Sequence, residues 1–570
     1  MAESLPHALA VEISALGFTY RSASRPALRG VDFHQRPGEL VGIMGATGAG
    51  KSTFCRCLNG LIPNFVRGQL KGKVRVLGQD LATQRVADVA RNVGIVFQEF
   101  EPQLFSTSVA LEVAFGPENL GVPRAELLSR VASALVTVGL DGFEDADPAT
   151  LSGGEKQRLA IAAVLAMHPA VLVMDEPTTD LDPLGKRAVF DLTLHLKKDL
   201  AACLLAEHET EFMLEADRIV ILNKGEIALE GAPGQIFRGG RELETLGVRP
   251  LETVQLAELL DIEDRCLTVG DMTSLLRQKR YRFDAQRFEQ LQAQDHAAPR
   301  SCGEPVIEVR ELCFAYQAHH NVLEHLSLTI NRGEFVALLG QNGSGKTTLV
   351  KHFNGLLQPS SGSVQVCGRD TRSWKMSDLG KTVGYVFQNP DHQLFAETVE
   401  EEVAFGPRNY GLSQEEVSRN VAHALSVTAL TGREQDDPFS LPKGERQRLA
   451  VASVLASEPQ IIVLDEPTTG LDYRDQCAAM RLVQQLNAKG HTIIVVTHAM
   501  WLAAHYAHRC IIMRSGTIIA DGPTREVFSQ EESLGTASLV APAIAQLGKS
   551  LGGTTLSARE LAYCLVQDHG

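Results

Sequence analysis

Residues 45–53 read GATGAGKST, and residues 340–348 read GQNGSGKTT. Each fits glycine, four residues, glycine, lysine and a hydroxyl residue, a pattern whose chemistry is phosphate binding. The glycines let backbone N–H groups converge on phosphate oxygens, the lysine neutralises charge, and the hydroxyl coordinates magnesium. The first loop assigns these roles to Gly45, Gly48, Gly50, Lys51, Ser52 and Thr53, and the second to Gly340, Gly343, Gly345, Lys346, Thr347 and Thr348. Downstream, VLVMDE (171–176) and IIVLDE (461–466) each end an apolar run on two acids. Standing alone, such a run is more often a core strand with solvated acids. Behind a phosphate loop, Asp175 and Asp465 are expected to hold the magnesium shell, and Glu176 and Glu466 to polarise an attacking water. His208 and His498 follow the apolar runs CLLAE and TIIVVT, which puts each where a strand emerges at the ligand-facing edge of a parallel sheet, in reach of a terminal phosphate. Tyr20 and Tyr316 precede their lysines by 31 and 30 residues. Stacking on a base and burial in a core are both open to these two.

Elements must position these groups, and they come twice. The lysines stand 295 positions apart, whereas Glu155 and Glu445, Asp175 and Asp465, and His208 and His498 each stand 290 apart. The five-residue difference falls where IPNFVRGQLKG faces the shorter LQPSSGS, and it predicts a change of loop length. Runs such as ELVGIMG and EFVALLG lead into a glycine loop and then a helical pattern, so each half is expected to be α/β on a largely parallel sheet. Helical periodicity over about 105–165 and 395–455 predicts an inserted helical subdomain in each. The expected organisation is a first domain over 1–240, a helical extension over 241–290, a linker over 291–303, a second domain over 304–530 and a C-terminal helical extension over 531–570.

A chain of 570 residues suits two to four cores. Its net charge of -15 argues against broad nucleic-acid binding, which needs basic surface to displace counterions. The N-terminal stretch MAESLPHALAVEISAL lacks a basic segment leading into an apolar run and predicts a chain retained in the cytoplasm. No stretch of 18 residues is uniformly apolar, so any membrane role must run through a partner. The ten cysteines include no CxxC pair, and Cys55 with Cys57 form a lone CxC read as reduced thiols.

With the phosphate loop, an isolated Gln98 or Gln388 after an apolar strand, LSGGE, the Asp-Glu strand and the histidine in that order, each half resembles an ATP-binding cassette (ABC) ATPase. That resemblance implies two tandem P-loop NTPase domains that use ATP and Mg2+. It adds Gln98 to Ser52 and Asp175 as a magnesium-shell residue, and Gln388 to Thr347 and Asp465. It also implies that the two cassettes pair head to tail within the chain, each nucleotide lying between one phosphate loop and the signature of the other cassette. Ser152, Gly153 and Gly154 are the signature residues of the first half, and Gly444 remains in the second. FQEFEPQLFSTSVALEVAFGPENLG (97–121) and FQNPDHQLFAETVEEEVAFGPRNYG (387–411) look like the ATPase subunits of energy-coupling factor (ECF) importers. This implies a peripheral ATPase on the cytoplasmic face of the membrane that energises uptake of vitamins, their precursors or transition-metal ions. Its partners would be a transmembrane coupling subunit and a small substrate-binding membrane protein, with no nucleic acid. APAIAQLGKSLGG also looks like the family's C-terminal helical extension. Glu99 and Phe100 depart from the usual FQNP, so the two halves are not expected to grip a coupling subunit alike. A fused sugar-importer ATPase fits the QLF and VAFGP segments less well. A soluble ABC protein acting on ribosomes or DNA fits poorly with the mixed charge of 241–303 and the lack of zinc-type cysteine spacing.

The signatures themselves differ: TLSGGEKQR (150–158) against SLPKGERQR (440–448). Pro442 removes a hydroxyl and an N–H, and Lys443 puts a side chain where glycine allows close approach. A lost hydrogen bond to a charged group costs roughly 1.5–3 kcal/mol, or about 10-fold to 150-fold. A slow site at Lys51 and Glu176 and a fast one at Lys346 and Glu466 are expected, unless the Lys443 ammonium reaches the phosphate instead.

Overall fold

The computed structural model describes residues 9–21, 23, 25–179, 181–297, 303–317 and 320–568. Residues 1–8 of the N-terminal stretch and positions 298–302 of the expected linker lie outside them. Two units form, Met1–Leu251 with Asp472–Arg474, and Glu252–Leu471 with Asp475–Gly570.

In the first unit a six-stranded sheet runs in the order Glu226–Gly231, Arg218–Asn223, Glu39–Met44, Ala202–Ala206, Val171–Asp175 and Val93–Val96. Only the outermost pair, Glu226–Gly231 with Arg218–Asn223, is antiparallel. VLVMD and ACLLA are buried along their whole length, as strands covered on both faces must be. A four-stranded antiparallel sheet built on Val11–Tyr20 shares its core with this layer, and Phe54, Cys55, Cys57 and Leu58 of the helix after the phosphate loop fill the space beneath. The second unit repeats the plan in the order Val383–Val386, Ile461–Asp465, Thr492–Val496, Phe335–Leu339, Arg509–Arg514 and Thr517–Pro523. Parallel register gathers the ends of the central strands: Asp175 lies opposite Ala206, and Asp465 opposite Val496. Each phosphate loop, acidic pair and histidine therefore meet at one sheet edge.

The helical subdomains comprise Val109–Asn119, Arg124–Val138 and Gly153–Leu165 in the first unit, and Val399–Asn409, Gln414–Val427 and Lys443–Leu455 in the second. The five extra residues of the first half are spent on a short helical turn, Leu61–Asn64, and on a nine-residue strand, Gly68–Val76, where the second half has the six-residue strand Ser361–Val366.

The stretches expected as two separate extensions form one body inside the second unit. Leu256, Met272 and Leu276 share a core with Ile544, Leu547 and Leu561, and strand Tyr281–Phe283 pairs antiparallel with Leu565–Gln567. The first unit runs to Leu251 rather than 240 and takes in helix Arg241–Thr245. Positions 291–297 of the expected linker belong to helix Ala285–Ala297, which continues through Gln and Ala, good helix formers, with no proline before Pro299. Asp295 on that helix ion-pairs with Arg525 at 2.6 Å. Among the described residues no helix is long and apolar enough to cross a membrane.

Candidate functional site

Each site grows from a strand that ends in a glycine turn. Gly50 and Gly345 cap the helices Lys51–Leu58 and Lys346–Phe353 with positive φ and without a side-chain cap, so no side chain of the cap competes for the first-turn N–H groups. At Gly48 (φ 76°) and Gly343 (φ 77°) an added methyl group would meet nothing within 4 Å, so both loops present an open backbone concavity. These features fit a nucleotide triphosphate.

In the first unit Lys51 is buried, with Nζ 3.0 Å from the Gly45 carbonyl and 3.3 Å from Glu176 Oε1. The same Glu176 oxygen lies 2.9 Å from His208 Nε2, and its other oxygen accepts from Gln98 Nε2 at 2.7 Å. Burial alone would raise the Glu176 carboxyl, but His208 and Lys51 outweigh it and hold the group well below the usual carboxylate range. Ser52 Oγ donates to Asp175 Oδ1 at 3.1 Å. Asp175 is pushed up to about 6, first by burial and then by the Glu176 charge beside it. A hydroxyl, a carboxylate and the nearby Gln98 amide suit a hard oxygen-seeking cation such as Mg2+, whose charge would draw the proton off Asp175.

The second unit repeats the frame with changes. Lys346 Nζ donates to the carbonyls of Gly340 and Gln341, each at 2.8 Å, and Thr347 Oγ1 donates to Asp465 Oδ1 at 3.1 Å. His498 Nδ1 lies 3.0 Å from Glu466 Oε2. Burial raises the Asp465 carboxyl despite bonds from Tyr385 and Thr347. Both catalytic candidates, Glu176 and Glu466, sit at φ 49°, a left-handed conformation that costs a residue with a Cβ and places strain at both sites. Gln388 follows strand Val383–Val386, as Gln98 follows Val93–Val96. The two tyrosines are held alike: Tyr20 OH is 2.8 Å from Thr53 Oγ1, and Tyr316 OH is 3.3 Å from Thr348 Oγ1. Each also packs edge-on against the phenylalanine two residues before it, and Tyr316 keeps over half its surface exposed.

The signature turns part company. Ser152 and Glu155 form a reciprocal capping box, Ser152 N–H donating to Glu155 Oε2 at 2.8 Å. Pro442 makes no cap bond. Around Gly153 and Gly154 nothing lies within 4 Å of an added methyl, whereas Gly444 is buried. Lys443 directs its ammonium against Gly470 of its own unit.

Several residues escaped the sequence reading. Tyr385 donates to Asp465 Oδ2 at 2.7 Å, where the first unit has Ile95. Buried Glu207 accepts from the Thr178 N–H at 3.1 Å and the His208 N–H at 2.7 Å, as well as from the Thr178 hydroxyl, and so ties the histidine to the turn after Glu176. Thr497 takes that place in the second unit and accepts from Ala499 N–H. The contrast of AEH with VTH was the available signal. Buried Glu112 accepts from the N–H groups of Phe105 and Ser106 at 2.9 and 2.7 Å, and buried Glu402 from those of Phe395 and Ala396, both at 2.8 Å. The glutamine loop is also linked to the signature helix in both units, by Glu101 with Lys156 and by Asp391 with Arg446, each at 3.1 Å.

The family model for the ABC transporter matches residues 28–179 and 323–469. A protein of Caldanaerobacter subterraneus, classed by its name among ABC transporter ATP-binding proteins, is 46% identical over 97% of this chain and 98% of its own length. One of Methanosarcina acetivorans with a name of the same kind is 40% identical over 95% of this chain and 90% of its own. Among solved structures, cbiO1 from Clostridium perfringens, described as part of the ABC transporter complex cbiONQ, is 34% identical over 43% of this chain and 99% of its own, with a TM-score of 0.39. Matched twice over and along nearly its whole length, the chain belongs to the ABC transporter ATP-binding family, as an ATPase coupled to transport with two such domains in tandem.

Proposed function

We propose that this chain is the ATP-hydrolysing subunit of an ECF-type importer, working with one full-strength and one weakened site. The observation that carries the importer reading is a matched pair of aromatic knuckles beside the two glutamine loops. Phe105 and Phe115 meet edge-on with centroids 4.6 Å apart, and Phe395 and Phe405 do so at 4.7 Å, yet all four rings are about half exposed or more. Buried glutamates hold the loops that carry them, so these apolar surfaces are fixed rather than incidental. Paired, exposed aromatics on a rigid base are what a partner helix covers. They lie within QLF and VAFGP, the segments that resemble ECF ATPases.

Lys51 and Lys346 would neutralise the phosphates, and Ser52, Asp175 and Gln98, with Thr347, Asp465 and Gln388, would hold Mg2+. The metal supplies charge neutralisation and orientation of the phosphate oxygens. Glu176 and Glu466 accept hydrogen bonds from an attacking water, while His208 and His498 face the terminal phosphate. Tyr20 and Tyr316 flank the base. In the head-to-tail pairing that the family resemblance implies, Ser152, Gly153 and Gly154 serve the nucleotide at Lys346, and Gly444 with its altered neighbours serves the one at Lys51. The membrane partners are a coupling subunit at the knuckles and a small protein that selects a vitamin, a vitamin precursor or a transition-metal ion.

Tagged chain drawn from its native membranes tests the reading. Small hydrophobic membrane proteins should come with it, and Phe105→Ala with Phe395→Ala should lower their recovery at least about fivefold without changing the melting temperature. Sedimentation with ribosomes in place of that recovery would overturn it.

A further inference from the structure

The histidine loop of the first unit is tied down on both sides of His208. One main-chain link is common to the two units: the Ala206 carbonyl accepts from Glu176 N–H, and the Val496 carbonyl from Glu466 N–H, each at 2.9 Å. The side chains differ. Glu207 accepts through Oε1 from the N–H and hydroxyl of Thr178, and through Oε2 from the N–H of His208. Residues 206–208 are therefore stapled to 176–178 at both ends, across Pro177, which has no N–H to offer. Both Glu207 and Thr178 are buried, where water cannot replace a lost bond. Beyond the histidine, Glu209 ion-pairs with Lys186 of helix Pro183–Leu196. At the positions 290 further on, the second unit has Thr497, Ala499 and Gln476. The Thr497 hydroxyl accepts from Ala499 N–H inside its own loop, and Gln476 donates to the Leu471 carbonyl. The rings are held differently as well: His208 meets Glu176 through Nε2 at 2.9 Å, and His498 meets Glu466 through Nδ1 at 3.0 Å.

We infer that Glu207 is a positioning residue for ATP hydrolysis in the first unit, one that locks the backbone of His208 to the turn after Glu176 so that imidazole and carboxylate keep one geometry. Two short segments from neighbouring strands carry these groups, and a single main-chain bond leaves them free to pivot. A carboxylate with an acceptor on each side closes that pivot, because it holds an N–H of either segment at once. Threonine, with one hydroxyl, does not span the two. A small displacement of a group that contacts reacting atoms costs rate rather than binding, so the lock belongs to the chemical step. This inference rests on the roles proposed for Glu176 and His208.

The test uses the full chain carrying Glu466→Gln, in which the ATP cleavage that disappears on adding Glu176→Gln belongs to the first unit. Glu207→Thr, which installs the second unit's residue, should lower that cleavage at saturating ATP at least about tenfold, the scale of one lost hydrogen bond to a charged group, and keep the half-saturating ATP concentration within about twofold. His208→Ala should do the same. Glu207→Thr combined with His208→Ala should fall no more than about twofold below His208→Ala alone, as expected of a residue that acts through the other. Glu207→Gln keeps the shape but has one carbonyl oxygen for donors on two sides; it should lose at least about threefold, and it serves if Glu207→Thr does not fold. Losses that multiply in the double variant, or full cleavage in Glu207→Thr, overturn the part given to Glu207 and leave that of His208 standing. Full cleavage in His208→Ala overturns the proposed role of the histidine, and the inference with it.

Discussion

The two signature turns are built on helices of the same length and register, yet one is open and capped by its own serine while the other is proline-started and packs its Gly444 against the Asp475 carboxylate. The phosphate loops, by contrast, agree glycine for glycine, with the same left-handed cap and the same buried lysine. The difference teaches that a duplicated ATPase can keep its phosphate loops and acidic pairs while altering the turn that starts a neighbouring helix. The alteration also spreads: the residue before the histidine (Glu207 against Thr497) and the strand position that in the second unit meets the aspartate (Ile95 against Tyr385) changed as well.

The largest effect should come from the glutamates. Glu466→Gln is expected to cut steady-state ATP hydrolysis at least about 100-fold, whereas Glu176→Gln leaves a third or more. Equal losses would break the comparison at its root. Moving the altered signature into the first half, with Ser152→Pro and Gly153→Lys together, should slow turnover by about 10-fold to 150-fold, the range of one lost charged hydrogen bond; an unchanged rate would mean that this turn does not serve the fast site. Tyr385→Phe deletes one neutral hydrogen bond to Asp465 and should raise the Mg2+ concentration needed for half-maximal hydrolysis about fivefold. A magnesium titration reads this directly, and no shift would remove Tyr385 from the list of differences.

The smallest effect on catalysis is expected from Arg525→Met. Arg525 is buried against Asp295, Glu560 and the Thr554 carbonyl. Its loss should destabilise the second unit by about 3 kcal/mol, seen as a lowered second transition in thermal unfolding, with hydrolysis at low temperature unchanged. A fall in hydrolysis at low temperature would tie the helical extension to the chemistry.

Much of the site was legible because its chemistry is local. Gly-Lys-hydroxyl, Asp-Glu after a buried strand, and a histidine after another are contiguous patterns, and parallel register alone brings their ends together. Tyr385 was not legible, since a tyrosine inside an apolar strand reads as core until the neighbouring strand places Asp465 beside it. Glu112 and Glu402 were quoted within their motifs without a role, because a carboxylate that caps two backbone N–H groups seven and six residues upstream has no periodic signature.

The sequence by itself determined that there are two α/β halves, that each carries a phosphate loop and an acidic pair, and that one signature has lost its serine and a glycine. These follow from composition and spacing, which no packing can undo. Only the tertiary structure decided that residues 252–297 fold with the far C-terminal end, and that Asp475 lies over Gly444. Both depend on which surfaces meet after the chain has closed long loops, and a pairing between residues 31 or nearly 300 positions apart leaves no mark in the local pattern of either segment.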